Sequence, residues 1–491
     1  MYQPSFEEAL VYTKDYHLIP ISCEIPSDMT SPIAVLKALK TVSTHCFLLE
    51  SVADSKAWGR YSFLGYEPTL ELTCLNGELK IRTQDSTVQK ILVSNPSDYI
   101  RHLMSTLTSP KLDYLPSFTG GLVGYFAYDY IKYSEPTLTL DANDEENFHD
   151  VDLMLFQKVI VFDNLLQKLY IIVNVKAEEL KEHYHEAVNE IERIKTLLKS
   201  TLPEVDYSGR LTSPFRPLFN ASEYCALVEQ AKKHIFEGDI FQVVLSNRLE
   251  ADFEGSLLNT YRMLRMTNPS PYMFYFGSDK MELTGASPET LVKLQDSVLH
   301  TFPIAGTRKR GETEAEDLAL ELELLADEKE LAEHNMLVDL GRNDLGKISK
   351  FGTVQIENYK SILRFSHVTH IGSTIRGELR EDLSAMDAIE AVLPAGTLSG
   401  APKLRACEII NQLENNKRGI YGGAVGYLDF KGNMDTCIAI RLCFQKNGKV
   451  FVRSGAGIVA DSIPEKEYEE CLNKAKAVME ALQIADGGLA T

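Results

Sequence analysis

The chain has 491 residues; 50 Lys and Arg against 70 Asp and Glu leave a formal charge of −20 and a pI near 5.1. With 44% hydrophobic and 24% charged residues it has ordinary globular composition, which excludes a wholly disordered chain and allows a large core. The acidic balance argues against a protein that wraps nucleic acid or lies on anionic lipid, since both need basic patches; small anionic substrates remain open.

Apolar runs such as Val151–Phe162 are broken by Asp152, Gln157 and Lys158, and none reaches the ~18–20 residues of a membrane span. Met1 to Leu10 has no basic n-region and carries Glu7 and Glu8, so no signal peptide is expected there. The eight cysteines show no CxxC and no metal spacing, which reads as free thiols in a reducing cytoplasm.

In chain order, Cys46–Ser51, Arg60–Leu64 and Leu70–Leu75 are predicted as short strands, and Ile91–Leu107 and Ala177–Leu198 as helices. Ser134–Asp152 is an acidic surface loop. Ser200–Asn220, with Pro203, Pro214 and Pro217, is the linker candidate, dividing the chain into 1–212 and 213–491. Ser222–Glu237 is predicted as a helix with Ser222 as N-cap and Gly238 as stop, followed by a strand over Ile240–Leu249. Ala315–Leu340 reads as one long acidic helix stopped at Gly341. Ser384–Leu393 and Pro402–Leu413 are helices, the second with Pro402 in its first turn. Gly419–Leu428, Met434–Phe444 and Val450–Val459 are predicted strands, with Cys437 and Cys443 on one side of the second, and Pro464–Leu482 closes the chain as a helix. Without a regular βαβ rhythm, the fold class is α+β. One internal echo, GGLVGY at 120–125 and GGAVGY at 422–427, reads as two similar strand starts or as a pseudo-symmetric pair of subdomains.

Three patterns carry chemistry. Glu330 and Glu333, and again Glu467 and Glu470, are spaced i,i+3, so each pair shares a helical face; two opposed faces offer oxygen ligands to a hard cation such as Mg2+. Solvated acidic faces look the same. Gly/Ser/Thr turns recur at 285–289, 303–308, 396–403 and 455–457. They suit anions through backbone N–H groups, or are ordinary turn chemistry. Gln242, His370, Tyr421 and Arg441 sit as polar residues among apolar neighbours. His370 fits either a satisfied core histidine or an acid/base group, and Arg441 either a buried ion pair or a substrate carboxylate contact. No GxGxxG after a strand, Walker loop, GxSxG or HExxH is present.

The strings GDIFQVVLS (238–246), GASPE (285–289), PIAGTRKRG (303–311), DEKELAEHNMLVDLGRNDLG (327–346), HVTHIGS (367–373), PAGTLSGAPK (394–403), RGIYGGAVGYLDF (418–430), IAIR (438–441), RSGAGIVADS (453–462) and PEKEYEECLNKAKA (464–477) together resemble the chorismate-utilising enzyme family over nearly the whole chain. The resemblance implies a layered α/β sandwich with large, mainly antiparallel sheets and helices outside, its two halves packed together. It also implies an Mg2+-dependent reaction in which chorismate and ammonia give anthranilate, pyruvate and water.

By the same resemblance, Glu330, Glu333, Glu467 and Glu470 match the metal positions, Glu289 the general acid and His370 the residue of the elimination step. Tyr421, Arg441, Lys474, Thr397, Gly306, Thr307 and the backbone of Gly455, Ala456 and Gly457 match the substrate contacts. Relatives that add water carry a lysine where this chain has Gln242, and those making aminodeoxychorismate carry a nucleophilic lysine where this chain has Ala305; both differences favour ammonia and anthranilate. No amidotransferase segment is present, so the resemblance implies a separate glutamine amidotransferase subunit that delivers ammonia, in a heterodimer or a dimer of heterodimers. Leu49, Glu50 and Ser51 together with Asn268, Pro271, Tyr272 and Met273 match the motifs of a feedback site for L-tryptophan, Glu50 facing the ammonium and Pro271 to Met273 walling the indole. The alternatives are an aminodeoxychorismate-forming enzyme and a non-catalytic tryptophan-sensing subunit; the complete set of acidic residues and His370 argues against the second.

Overall fold

The computed structural model describes residues 2–51, 59–200, 205–364 and 368–488; His367, which begins the HVTHIGS string, lies outside them. Two large sheets carry the architecture, one of 14 strands and one of 12, and every strand pair in them is antiparallel.

Each sheet draws strands from both halves of the chain. In the first, Leu18–Pro26, Lys168–Lys176, Lys158–Asp163, Tyr61–Tyr66 and Cys46–Glu50 lead directly into Tyr272–Gly277, Met281–Ser287, Leu442–Lys446, Lys449–Ile458 and Gln242–Gly255. In the second, Ile304–Lys309, Val368–Glu378, Val298–Thr301, Thr290–Gln295, Met434–Ile438 and Ala424–Asp429 continue into Gly121–Phe126, Val151–Phe156 and Leu70–Leu75. The joining pairs place Met273 opposite Glu50 and Gly124 opposite Gly426. The two halves of the GGxVGY echo are therefore adjacent strands of one sheet. A Cβ on Gly124 would lie 2.0 Å from the Asp152 carbonyl oxygen, and one on Gly426 would lie 2.1 Å from that of Asp435. The repeated glycines answer to close backbone approach.

The sheets face each other across an aromatic core that includes Phe47, Phe156, Phe274, Phe444 and Phe451; the Phe47 and Phe156 rings meet edge-on at 4.7 Å. Such rings bury large apolar areas and are a major source of stability in a sandwich. Helices cover the outer faces. Pro32–Lys40, Leu180–Lys199, Leu258–Thr267 and Pro464–Ala485 pack on the first sheet, and Glu328–Gly346 and Ala385–Val392 on the second. The expected layered α+β sandwich is the fold observed.

Several local expectations are corrected. The Ile91–Leu107 stretch divides into the end of a strand, Val88–Leu92, and a helix, Pro96–Ser105, capped by Asn95. The helix from Ala221 to Phe236 is capped by Asn220 in a capping box with Glu223, rather than by Ser222. The strand predicted from Ile240 runs from Gln242 to Gly255. The long acidic helix is two, Glu314–Ala326 and Glu328–Gly346: Asp327 accepts from the N–H groups of Lys329 and Glu330 and starts the second, which passes through Gly341. Pro402 is the N-cap of Lys403–Glu414 rather than part of its first turn. The strand predicted from Gly419 begins at Ala424. Within the linker candidate, Gly209–Leu211 and Arg216–Pro217 pair with Gln242–Gly255, so the described part of it is sheet edge.

The most consequential correction falls on Met434–Phe444. It is two strands in different sheets, Met434–Ile438 and Leu442–Lys446, and Arg441 sits between them at φ +51. Cys437 and Cys443 consequently lie in different sheets. All eight cysteines are free, and seven are buried. No described helix is long and apolar enough to cross a membrane.

Candidate active site

Two crossovers between the sheets run side by side. One carries the chain from Met281–Ser287 to Thr290–Gln295 through Pro288 and Glu289; the other returns it through Ala439, Ile440 and Arg441. They are stitched by Ser287 Oγ donating to the Ile438 carbonyl (2.7 Å), Ile438 N–H donating to that of Glu289 (2.9 Å), and Ala286 N–H donating to that of Arg441 (3.0 Å). Glu289 and Arg441, 152 positions apart in sequence, are thus neighbours by construction.

The Glu289 carboxyl accepts from Thr397 Oγ1 at 3.2 Å. Thr397 lies in the short turn Gly396–Leu398, and both side chains line a small cavity of about 40 Å3 with Leu291, Leu337, Leu340 and Ile438. Loss of water in this apolar setting pushes the Glu289 pKa up to about 8; the Thr397 hydrogen bond and the charge of Lys474 oppose the rise. The carboxyl therefore holds its proton at neutral pH.

Arg441 is an exposed residue, yet enough protein surrounds its guanidinium for desolvation to draw its pKa down. The guanidinium makes no hydrogen bond or ion pair with the side chains or backbone of the described residues. Its charge reaches His370, on the Val368–Glu378 strand. His370 Nδ1 lies 2.7 Å from the Gly306 carbonyl and 3.1 Å from Thr307 Oγ1. A carbonyl only accepts, so Nδ1 carries the proton and the neutral ring keeps its lone pair on Nε2. Burial, with Arg441 adding to it, lowers the His370 pKa. Gly306 sits at φ +68 where the Ile304–Lys309 strand slips register, and a Cβ there would lie 3.2 Å from Glu330 Oε2.

The four glutamates of the paired i,i+3 motifs share one electrostatic neighbourhood. Glu333 has its pKa raised by desolvation, then by Glu330 and by Glu470 from the other helix, while Lys474 and Lys329 oppose this. Desolvation also raises that of Glu467, which feels Glu470 as well. Crowded carboxylates whose protonation is favoured by mutual repulsion are a donor set that a dication suits. They do not form a closed cage: among the described residues the only His, Cys, Asp or Glu ligand atoms converging as a group within 4.8 Å are those of His234, Glu237 and Asp239. A metal at the glutamates therefore needs further oxygens from water or substrate. Lys474 bridges this region to the neighbouring strand, pairing with Glu470 at 2.8 Å and donating to the Gly455 carbonyl at 3.1 Å.

Tyr421 is buried, its hydroxyl 3.1 Å from where a Cβ on Gly455 would stand. Gln242 is buried beside Gly457, with Nε2 2.7 Å from that glycine's would-be Cβ and Oε1 without a hydrogen-bond partner among the described residues. The bare backbone of Gly455 to Gly457 is what lets both side chains approach.

A second cavity, of about 470 Å3, is lined by a different set of residues. Leu49, Glu50, Ser51, Pro271, Tyr272 and Met273 all line it. Asn268 is not among the lining residues; it ends the Leu258–Thr267 helix, its N–H donating to Leu264 O. Glu50 is also not free to face a ligand alone. Its Oε1 already accepts from Tyr261 Oη (2.5 Å) and Arg265 Nε (2.7 Å). Ser51 Oγ is buried with no partner among the described residues.

Sequence reasoning missed Tyr261 and Arg265, whose i,i+4 spacing was the available signal. It also missed a buried cluster of Glu414, Arg418 and Arg453 behind Tyr421. Its signal was only three charges next to apolar or glycine-rich runs.

A family model described as chorismate binding enzyme matches residues 45–480. The chain is 45% identical over 493 residues to "Anthranilate synthase component 1" of Acetivibrio thermocellus, covering 99% of each, and 44% identical to that of Aquifex aeolicus, covering 98% of each. Among solved structures it is similar to anthranilate synthase component I from Streptococcus pneumoniae (TM-score 0.76, 36% identity, 92% of this chain and 98% of the other). It also shares its fold with the menaquinone-specific isochorismate synthase of Escherichia coli (TM-score 0.70, 20% identity, 97% and 99%).

Proposed function

The chain belongs to the chorismate-binding enzyme family and is an enzyme of the anthranilate synthase type, and from that premise we propose that it aminates chorismate at C2 with ammonia and then eliminates pyruvate to form anthranilate. The observation that carries the reading is the nearness, at the two crossovers, of a carboxyl that stays protonated, Glu289, to Arg441, whose guanidinium has no partner among the described residues.

In the first step ammonia forms the C2–N bond as the C4–O bond breaks. Hydroxide is a poor leaving group; Glu289 supplies the proton that lets it depart as water, and the added nitrogen then loses its extra proton. In the second step neutral His370, oriented by Gly306, takes the C2 proton through Nε2. The C3–O bond breaks, the enolpyruvyl methylene gains a proton, and pyruvate leaves an aromatic ring. Arg441 and Lys474, with the backbone of Gly455 to Gly457, Tyr421, Thr397, Gly306 and Thr307, hold the two carboxylates. Glu330, Glu333, Glu467 and Glu470, some through water, would hold Mg2+, which supplies Lewis-acid stabilisation of the ring carboxylate. Gln242 is neutral and cannot deprotonate water, which leaves ammonia as the nucleophile.

Ammonia comes from a separate glutamine amidotransferase subunit in a soluble cytoplasmic complex. L-Tryptophan occupies the cavity of Ser51 and Met273 and inhibits by favouring one of two states, which requires a coupling of roughly 1–3 kcal/mol. Against the aminodeoxychorismate alternative stands Ala305, buried and without a nucleophile.

The test is to mix the chain with chorismate, Mg2+ and an ammonium salt and follow anthranilate fluorescence with and without tryptophan. Emission that needs Mg2+ and falls with tryptophan is the expected result; no anthranilate from folded protein would overturn the reading.

A further inference from the structure

Behind the proposed carboxylate site lies a group of charges that does not balance. Glu414, Arg418 and Arg453 are each at most 3% exposed. Glu414 receives Arg418 Nε and Nη2 (3.0 and 2.6 Å) and Arg453 Nη2 (2.8 Å). Among the described residues every ion pair of the two arginines runs to this one carboxylate. Two guanidiniums on one carboxylate leave one positive charge in the interior. A third, Arg248, stands opposite Arg453 in strand register, although Glu250 partners it. The nearby buried acid Asp129 answers to Lys417 and Lys132 rather than to either arginine of the cluster.

Burying a charge is costly, and like charges facing each other across a strand pair add to the cost. A purely structural polar cluster has no need of the excess charge. Its position gives it a use. Arg453 is two residues before Gly455 on one strand, so its side chain shares a face with Gly455 and Gly457. Arg418 Cζ lies 5.8 Å from the Tyr421 ring centroid, and both guanidiniums pull the Tyr421 phenol toward ionisation against the larger effect of burial. Arg418 also donates to the carbonyls of Leu398, beside Thr397, and Val244, two residues from Gln242 (both 2.6 Å).

We propose that the Glu414–Arg418–Arg453 cluster is the electrostatic floor of the substrate site, a fixed positive charge that draws the substrate's carboxylates onto the Gly455–Gly457 backbone without touching them. This rests on the chorismate reading above. Arg418 and Arg453 are positioning residues: they act through Tyr421, Gly455 and the turn of Thr397. Because the charge is fixed in a low-dielectric interior, it acts at full strength and needs no reorganisation when the dianion arrives.

The test measures chorismate binding by calorimetry with Mg2+ and no ammonium, for wild type, Arg453→Met and Arg453→Lys. The Met variant leaves a balanced Glu414–Arg418 pair and removes the excess charge; the Lys variant keeps it. Loss of charge is expected to weaken binding about tenfold or more in Arg453→Met and less than about threefold in Arg453→Lys, with the KM for ammonia unmoved in both. A folded Met variant that binds like wild type, or a Lys variant as weak as Met, would overturn the proposal. Should the Met variant not fold, the wild type is titrated at about 50 and about 500 mM KCl, where a buried charge is weakly screened. A change below threefold supports the proposal, and a tenfold weakening would assign the attraction to exposed Arg441 and Lys474 alone. Anthranilate formation is followed in parallel: its absence with the binding pattern intact would refute the reaction assignment and leave the floor standing.

Discussion

Tyr272 Oη lies 2.9 Å from Thr290 Oγ1, and Thr290 is the residue after Glu289. Tyr272 also donates to Asp435 Oδ1 at 2.8 Å, so the Thr290 hydroxyl is the donor to Tyr272. One side of Tyr272 faces the 470 Å3 cavity and its hydroxyl faces the crossover that carries the proposed acid. A ligand that shifts this ring shifts the base of Glu289. Tyr272→Phe is therefore expected to keep turnover while weakening tryptophan inhibition about five- to tenfold, the worth of one hydrogen bond of about 1 kcal/mol. Titrating anthranilate formation with tryptophan measures it, with calorimetric tryptophan binding as the companion readout. Unchanged inhibition would place the coupling elsewhere.

Glu289 makes a prediction in pH. Its folded pKa of about 8 stands above the ordinary 4.5. Between these values the unfolded chain has lost the proton and the folded chain keeps it, so stability falls as pH rises from 4.5 to 8. Turnover is expected to fall as pH passes about 8, where the proposed proton donor loses its proton. Glu289→Gln removes both effects: it is expected to cost about 10²–10⁴ in kcat and to gain up to a few kcal/mol of stability at pH 8, an upper limit because the group is partly exposed. Denaturant melts at pH 5 and pH 8 decide it. A variant with the wild-type pH dependence of stability would show that another group titrates.

How much of this was legible in the sequence depends on the range of the interaction. Cys46–Glu50 and Leu70–Leu75 are read from local alternation, and the i,i+3 glutamate pairs from helical period. Asp327 was not, because its capping role is hidden within an acidic run that looks like continuous helix. Arg441 was placed mid-strand because Ile440 and Leu442 flank it, and nothing local marks the crossing from one sheet to the other. Glu289 and Arg441 meet only through two crossovers, and Glu414, the last residue of the Lys403–Glu414 helix, meets Arg453 only where that helix end packs on the sheet. The family resemblance supplied a role for Glu289 where local physics supplied none, chose between the two readings that local physics left open for Arg441, and supplied no role for Glu414 or Arg418.

The crowded carboxylates predict a metal effect visible without turnover. Mg2+ held there as proposed would relieve the repulsion that raises Glu333, so at about 100 times its Kd it is expected to raise Tm by about 2–3 °C, from roughly 2.7 kcal/mol of linkage. Glu470→Gln is expected to remove both this shift and Mg2+-dependent turnover while leaving the fold intact. A wild-type Tm indifferent to Mg2+, or full activity of the variant at ordinary Mg2+, would detach these glutamates from the metal.

Ser51 predicts the regulatory side of the cavity. Its Oγ has no partner among the described residues, and it lines the cavity beside Glu50, already held by Arg265. Ser51→Phe puts a ring into that space, and is expected to relieve tryptophan inhibition at least tenfold with kcat within about twofold of wild type. Inhibition retained in full would move the regulator to another surface.

Gln242 predicts the choice of nucleophile. It is 5% exposed, its Oε1 has no partner among the described residues, and its amide fits only because Gly457 has no side chain. A lysine of similar reach placed there is desolvated, which lowers its pKa and lets it act as a base near neutrality. Gln242→Lys is expected to form isochorismate from chorismate and water, seen by chromatography with ammonium left out, and to lose at least about tenfold of its anthranilate rate because the new cation competes with ammonia's approach. The paired variant Gln242→Lys with Gly457→Ala should lose both products, since the added Cβ claims the space the side chain occupies. If Gln242→Lys folds and forms no isochorismate, position 242 does not by itself select the nucleophile, and the discrimination must be shared with the residues that orient C2.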